Sequence, residues 1–66
     1  MKLRINGEDR DIDNIGTVLG VLESFGLNVR LVVIEHNGQI IPRESYGEAQ
    51  LNAGDNLEIV QMMAGG

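Results

Sequence analysis

The residues best placed to take part in chemistry stand together at the end of the chain, which reads Met62-Met63-Ala64-Gly65-Gly66. A terminal carboxylate is a poor electrophile, so acyl transfer from Gly66 needs prior activation by a partner, most simply as a mixed anhydride with a nucleotide. Two terminal glycines leave the reacting carbon unshielded by any Cβ. Four residues from Met63 onward span at most roughly 13 Å when extended, enough to enter another protein's active site. The ending therefore predicts a terminus that is itself the reacting group, although a Gly-Gly ending taken alone is equally typical of a frayed end.

Met62 and Met63 are candidates for contact with a partner. Adjacent side chains point to opposite faces of a continuing strand, so at least one of the two is expected to lie exposed near the tail. Flexible methionine suits a docking surface that is used more than once.

Other polar residues offer weaker chemistry. His36 has no second histidine or cysteine to share a metal, and its place before a tight turn predicts an exposed residue without a catalytic role. Arg30 and Arg43 are expected to be solvated, or to pair with an acidic patch on a partner. Four carboxylates near the start of the chain lack the glycine-containing loop of a calcium site and are interpreted as a solvated edge: Glu8, Asp9, Asp11 and Asp13.

The composition limits the possible partners and compartment. The chain of 66 residues has no cysteine, which excludes disulfides, thiolate metal sites and a cysteine nucleophile. Its net charge of −5 disfavours a nucleic-acid footprint but suits docking on a basic protein surface. No apolar run approaches the ~20 residues of a membrane span. We expect a cytoplasmic protein that is monomeric when free and that binds neither nucleic acid nor membrane.

The sequence before this ending predicts two β-hairpins. Met1 to Ile5 alternates apolar and polar residues, and Asn6-Gly7 then predicts a tight turn with a polar return strand from about Asp9 to Ile12. A second hairpin is predicted around Asn37-Gly38. Its first strand, 31–34, is apolar at every position, which predicts cover on at least part of both faces.

One helix is predicted between the two hairpins. Thr17 is its N-cap, and Gly26 ends it in the left-handed conformation. Gly20 inside the helix costs up to ~1 kcal/mol relative to Ala, which indicates close packing against the sheet. The buried face has apolar residues at helical spacing, namely Val18, Val21, Leu22 and Phe25.

The remainder of the chain predicts a short turn and a last strand. Pro42 ends the second hairpin because it has no N–H to donate, Ser45 caps a short turn, and Leu51 enters the core. A strand around 57–60 follows the turn cluster at 52–55. This order of ββαββ, a turn and β can be buried only if the helix packs across one face of a single sheet.

Six segments, in this order and spacing, resemble one family over the whole chain. They are Ile5-Asn6-Gly7-Glu8, Thr17-Val18, Ile34-Glu35-His36-Asn37 with Ile41-Pro42-Arg43, Leu51-Asn52-Ala53-Gly54-Asp55, and Gly65-Gly66. The chain resembles the ThiS family of sulfur carriers in thiamine biosynthesis. The resemblance implies an α+β fold of the ubiquitin-like β-grasp type, with a mixed five-stranded sheet of order 2-1-5-3-4 on one main helix. The whole chain, 1–66, is then a single domain with a flexible tail at 63–66.

The resemblance also implies a function. A ubiquitin-activating-like (ThiF-like) adenylyltransferase adenylates Gly66 with ATP and Mg²⁺, sulfur from a persulfide donor makes a thiocarboxylate, and thiazole synthase (ThiG-like) receives that sulfur. Gly66 is the modified residue, and Gly65 and Ala64 thread the partner's channel. The chain itself binds no cofactor or metal and is a protein substrate, not an enzyme.

Three alternatives remain at this point. Ala64 replaces a third glycine that many ThiS proteins have, and the small subunit of molybdopterin synthase often ends in Ala-Gly-Gly. The shortness of the chain and the segment from Asn37 to Arg43 favour the thiamine branch. A ubiquitin-like modifier that is joined to lysines, and a binding module with an inert tail, are the other two.

Overall fold

The computed structural model describes residues 1–62 of the chain. Residues 63–66, and with them the prediction of a flexible tail, lie outside the described residues. Six elements follow one another in the predicted order: β1 Lys2–Ile5, β2 Glu8–Asp11, α1 Val18–Ser24, β3 Val32–His36, β4 Gln39–Ile41 and β5 Asn56–Gln61. Short 3₁₀ turns occupy Val29–Leu31 and Arg43–Ser45.

The strands form one mixed sheet whose order is β2-β1-β5-β3-β4. The two hairpins are antiparallel, β5 lies between them, and β5 runs parallel to β1 and antiparallel to β3. Both hairpin turns are built on an Asn-Gly pair with positive φ, 52° and 80° at Asn6-Gly7 and 51° and 85° at Asn37-Gly38. Asparagine and glycine tolerate this region better than other residues. The sheet order and the parallel central pair confirm the β-grasp prediction.

Local sequence signals set both ends of α1. The Thr17 hydroxyl accepts the Gly20 N–H at 3.1 Å, as expected of an N-cap. At the other end Gly26 has φ +69°, and it and the following residue donate back to carbonyls of the last turn. This is the Schellman arrangement that glycine favours.

The core lies between α1 and one face of the sheet. Tyr46 joins the aliphatic residues there and donates its hydroxyl to the Val32 carbonyl at 3.1 Å. Leu51 is buried as predicted. The fully buried side chains come from every layer of the fold: Leu3, Val18, Val21, Leu22, Val32, Ile34 and Leu57.

Four local predictions were wrong. The strand 31–34 is covered on one face only, because Val33 points away from the helix and is 37% exposed. Gly20 packs against Ile15 before the helix, not against the sheet: an added Cβ would lie 2.8 Å from Ile15 Cγ2. Ser45 ends its 3₁₀ turn and does not cap it. Phe25 follows the last residue of α1 and is only partly buried, with the Arg10 guanidinium over its ring at 5.3 Å from the centroid.

Candidate functional site

The candidate site is the part of β5 that leads toward the Gly-Gly ending. β5 occupies the centre of the sheet, and the strand pairing continues to its end, where Val32 faces Gln61. The Met62 N–H then donates to the Leu31 carbonyl at 2.6 Å. This bond extends the pairing with β3 by one residue, to Met62.

An apolar patch covers the sheet face that α1 leaves open. Val33 and Val60 are direct cross-strand partners, and both are exposed, at 37% and 59%. Side chains two residues apart on a strand share a face. Met62 therefore stands on the same face as Val60, and Ile40, opposite Glu35, stands there with them. The apolar patch consists of Val33, Ile40, Val60 and Met62.

Two carboxylates are paired in the middle of this face. Glu35 of β3 lies directly opposite Glu58 of β5. Along the strands, this pair is two residues from the pair Val33 and Val60. Like charges that are directly opposed on a sheet destabilise it. The open face thus combines exposed apolar side chains with an acidic pair that is unfavourable to the isolated domain, which suits a partner surface with apolar and basic residues.

Asn6 holds β5 on the side away from β3. Its Oδ1 accepts the Ile59 N–H at 2.7 Å, and its Nδ2 donates to the Ile59 carbonyl at 3.2 Å. One side chain therefore bonds both main-chain groups of Ile59. The Asn6 carboxamide takes the place of a further residue of β1, because β1 ends at Ile5.

A second polar cluster holds the start of β5. His36 Nε2 lies 2.8 Å from Asp55 Oδ2, and the same carboxylate accepts the Asn52 N–H at 2.9 Å and the Asn37 amide at 3.1 Å. Burial raises the pKa of Asp55, but these hydrogen bonds together hold it below its ordinary value. His36 is partly buried, so the expectation of an exposed histidine was wrong.

A cleft of about 300 Å³ opens beside the second half of β5, on the helix side of the sheet. Arg10 lies over Phe25 in its wall and 3.6 Å from Glu8. The positive charge of Arg10 therefore lies next to the negative charge of Glu8 in the cleft. The cleft is lined by Ile5, Asn6, Glu8, Arg10, Phe25, Leu27, Ile59 and Gln61.

The predicted site residues are only partly within reach of the structure. Met62 is exposed at the end of β5, whereas Met63, Ala64, Gly65 and Gly66 lie outside the described residues. Their roles, and the use of ATP and Mg²⁺ by a partner, stay predictions. In residues 1–62 no group of three His, Asp or Glu is placed to bind a metal ion, and no helix there has the length and apolar character of a membrane span.

Two features of the site were not predicted from the sequence. The open face was missed because 31–34 is apolar throughout and carries no alternation that marks an exposed side. The contact between Asn6 and Ile59 was missed because Asn6-Gly7 already accounts for the asparagine as a turn residue. The only available signal was that the same dipeptide occurs twice, in turns that both flank β5.

Comparisons with known proteins agree with this arrangement. The family model described as ThiS family matches residues 3–66. The sulfur carrier protein ThiS of Bacillus subtilis is 37% identical over 65 residues, which cover 97% of this chain and 98% of that protein.

The fold and a longer relative extend the comparison. The crystal structure of the thiamine biosynthesis protein ThiS from Geobacter metallireducens superposes with a TM-score of 0.83 at 28% identity, and each chain covers 100% of the other. A thiazole synthase of Paramagnetospirillum magneticum is 44% identical over all 66 residues, which are 20% of its length. The present chain thus spans about a fifth of that relative. By the family match and the full-length similarity to a sulfur carrier, this chain belongs to the ThiS family.

Proposed function

We propose that this chain is a sulfur carrier of thiamine biosynthesis and that its reacting group is the carboxylate of Gly66. The observation that carries the proposal is the similarity to a sulfur carrier over 98% of that protein's length, combined with a sequence that reaches Gly65-Gly66 five residues after β5. Sulfur carriage requires a free carboxylate on Gly66.

Two partner-catalysed steps load the sulfur. The Gly66 carboxylate attacks the α-phosphate of ATP, pyrophosphate leaves, and an acyl-adenylate forms. A persulfide sulfur then attacks the acyl carbon and displaces AMP. Cleavage of the resulting S–S bond by a thiol, which is oxidised to a disulfide with the donor's sulfur, leaves the thiocarboxylate. The chain supplies the acyl group, and the activating partner supplies the nucleotide site and the metal ion.

The folded domain supplies recognition. The apolar patch includes Val60 and Met62, which lie on the strand that leads to Gly66. A partner that covers this patch is therefore next to the tail, and roughly 13 Å of extended chain carries the terminus into its active site. The pair Glu35 and Glu58 in the same face favours partners with a basic residue opposite it.

Thiazole synthase is the proposed acceptor of the sulfur. The relative from Paramagnetospirillum magneticum bears that name and contains a region 44% identical to this entire chain. Joining a carrier to its acceptor in one chain would hold the two at high effective concentration. We propose that a ThiG-like protein fills this role for the present chain, and that a ThiF-like adenylyltransferase activates it.

The test combines pyrophosphate exchange with intact-protein mass. The chain is incubated with a ThiF-like enzyme, ATP, Mg²⁺ and a persulfide donor. We expect carrier-dependent ATP–pyrophosphate exchange and a mass gain equal to the replacement of one oxygen by sulfur, located at Gly66 by fragmentation. Attachment to a lysine of another protein, with no sulfur gained, would identify a modifier instead.

Variants of the terminus make this test specific. Deletion of Gly66 moves the carboxylate by roughly 3.3–3.6 Å and should abolish exchange. Gly65→Val keeps the full reach but adds a β-branched side chain in the channel and should also abolish it. Gly16→Val is the matched control, since an added Cβ at Gly16 meets nothing within 4 Å. Normal exchange in both terminal variants contradicts the proposal.

A further inference from the structure

We propose that Asn6 is a positioning residue for the chemistry at Gly66, because its carboxamide sets the direction in which β5 leaves the sheet. The inference rests on the proposed function and assigns a part of the domain that acts on the tail without contacting a substrate. It starts from the two hydrogen bonds that join Asn6 to both main-chain groups of Ile59.

The sheet narrows to two strands where β5 ends. On one side β1 ends at Ile5, opposite Leu57, and on the other β4 ends at Ile41, opposite Ile34. In the strand pairing of residues 1–62, the rows Val33–Val60 and Val32–Gln61 are thus formed by β3 and β5 alone. Two-stranded ribbons twist more strongly than wider sheets. The exit of β5 is therefore the part of the sheet whose direction is least restricted by neighbouring strands.

Asn6 supplies the missing restraint on the β1 side. Its N–H donates to the Leu57 carbonyl at 2.9 Å, and its side chain then bonds the next inward-facing residue, Ile59. Asn6 thereby extends the contacts between β1 and β5 from Leu57 to Ile59, although its own backbone, at φ 52°, already turns into the hairpin. The last of these bonds lies three residues before Met62.

The second Asn-Gly turn shows that the turn itself does not require this contact. Asn37 has nearly the same φ, 51°, and is also followed by a glycine with positive φ. Its carboxamide bonds the Asn56 N–H at 2.8 Å and the Asp55 carboxylate at 3.1 Å, at the start of β5. The two asparagines therefore hold opposite ends of one strand, and only Asn6 lies at the end that leads to Gly66.

A change of direction at this point affects the reaction more than it affects docking. In this proposal the apolar patch, which includes Val33 of β3 and Ile40 of β4, carries binding to the activating partner, whereas the position of the Gly66 carboxylate relative to the nucleotide depends on the path of the chain beyond β5. A misplacement of 1 Å at a reacting centre costs about a hundredfold in rate. We therefore expect loss of the Asn6 carboxamide to lower kcat and to leave KM nearly unchanged.

The test compares Asn6→Gly with Asn37→Gly. Glycine adopts the positive φ of both turns without strain, so each variant keeps its hairpin and loses only a carboxamide. Each is assayed for ATP–pyrophosphate exchange with the activating enzyme over a range of carrier concentrations, at a temperature where circular dichroism shows it folded. Hydrogen exchange of the Ile59 amide, measured by NMR, reports the loss of the contact directly.

We expect Asn6→Gly to lower kcat about tenfold with KM within about twofold of the parent, and to accelerate exchange of the Ile59 amide. Asn37→Gly should leave both kinetic constants within about twofold, even if it destabilises the domain more. Equal kcat losses in the two variants, or a rise in KM without a fall in kcat for Asn6→Gly, would overturn the role of Asn6 alone. A parent chain that supports no exchange would overturn the proposed function and this inference together.

Discussion

His36 and Asp55 join the end of β3 to the turn before β5 through a contact of 2.8 Å between Nε2 and Oδ2. Both side chains are largely buried, with 18% and 12% of their surface exposed. The same carboxylate also bonds Asn37 and the Asn52 N–H. One side chain thus connects a hairpin turn, a strand end and the loop that introduces the last strand.

This contact predicts a pH-dependent stability. The lowered pKa of Asp55 in the folded state means that its contribution is present above the unfolded-state value, about 3.9, and is lost as the pH falls through the folded-state value. We expect the free energy of unfolding, from urea titrations between about pH 3 and 7, to decline below about pH 4. Asp55→Asn should lower the stability at pH 7 by ~1–3 kcal/mol and flatten that decline. Asp13→Asn, at an exposed site, is the control and should change the stability at pH 7 by less than ~0.5 kcal/mol.

The apolar patch predicts a docking defect without a folding defect. Val60 is 59% exposed, so Val60→Asp removes little buried surface but places a charge in the patch. We expect KM for the carrier in pyrophosphate exchange to rise at least about tenfold, while the added charge near Glu58 lowers the melting temperature by no more than about 8 °C. Glu23→Ser, on the exposed side of α1, is the control. An unaltered KM for Val60→Asp would exclude the open face as the docking surface.

Glu35 and Glu58 predict opposite effects on stability and on binding. Glu35→Gln removes the cross-strand repulsion and should raise the free energy of unfolding by ~0.2–1 kcal/mol in urea titrations at low salt. The same change should weaken binding to the activating partner in calorimetry, because it removes one of two charges offered to a basic residue. If stability rises and the affinity is unchanged, the two glutamates destabilise the sheet but have no role in binding.

At Gly20 we expect alanine to destabilise the protein, although alanine has the higher helix propensity. Ala is ordinarily up to ~1 kcal/mol better than Gly inside a helix, but a Cβ here would lie 2.8 Å from the branched methyl of Ile15. We expect Gly20→Ala to lower the free energy of unfolding by ~1–3 kcal/mol. In the Ile15→Ala background, where that methyl is missing, the same substitution should be neutral or stabilising. A double-mutant cycle with no coupling would contradict this explanation.

The sequence allowed the fold to be predicted where a signal was local. Asn6-Gly7, Asn37-Gly38, Thr17 and Gly26 act within a few residues of themselves, and each has the predicted conformation. The errors concern contacts between distant parts of the chain. That Val33 faces solvent depends on the absence of a second layer, and that Gly20 is needed depends on where Ile15 lies.

For the candidate site the sequence predicts a chemistry, at Gly66, which the described residues do not test. The Gly-Gly ending indicates an acyl group because glycine offers little else, and Met62 agrees with the expectation that at least one of Met62 and Met63 lies exposed. The surfaces that present this ending could not be predicted, since the Val33–Val60 pair and the Asn6–Ile59 contact arise from strand register. Asn6 and Ile59 are separated by 53 positions in sequence, and no local pattern connects them.

The central position of β5 has a consequence for biosynthesis on the ribosome. A nascent chain that has not yet released Asn56–Gln61 can form both hairpins and α1, but it lacks the strand that joins them and covers their shared core. Non-local pairing of this kind forms late, and the incomplete domain stays open to proteases. Completion of the fold therefore coincides with synthesis of the segment next to Gly66. Chains that are truncated before β5 lack the strand between the two hairpins, so we expect limited proteolysis to degrade them faster than chains that contain it.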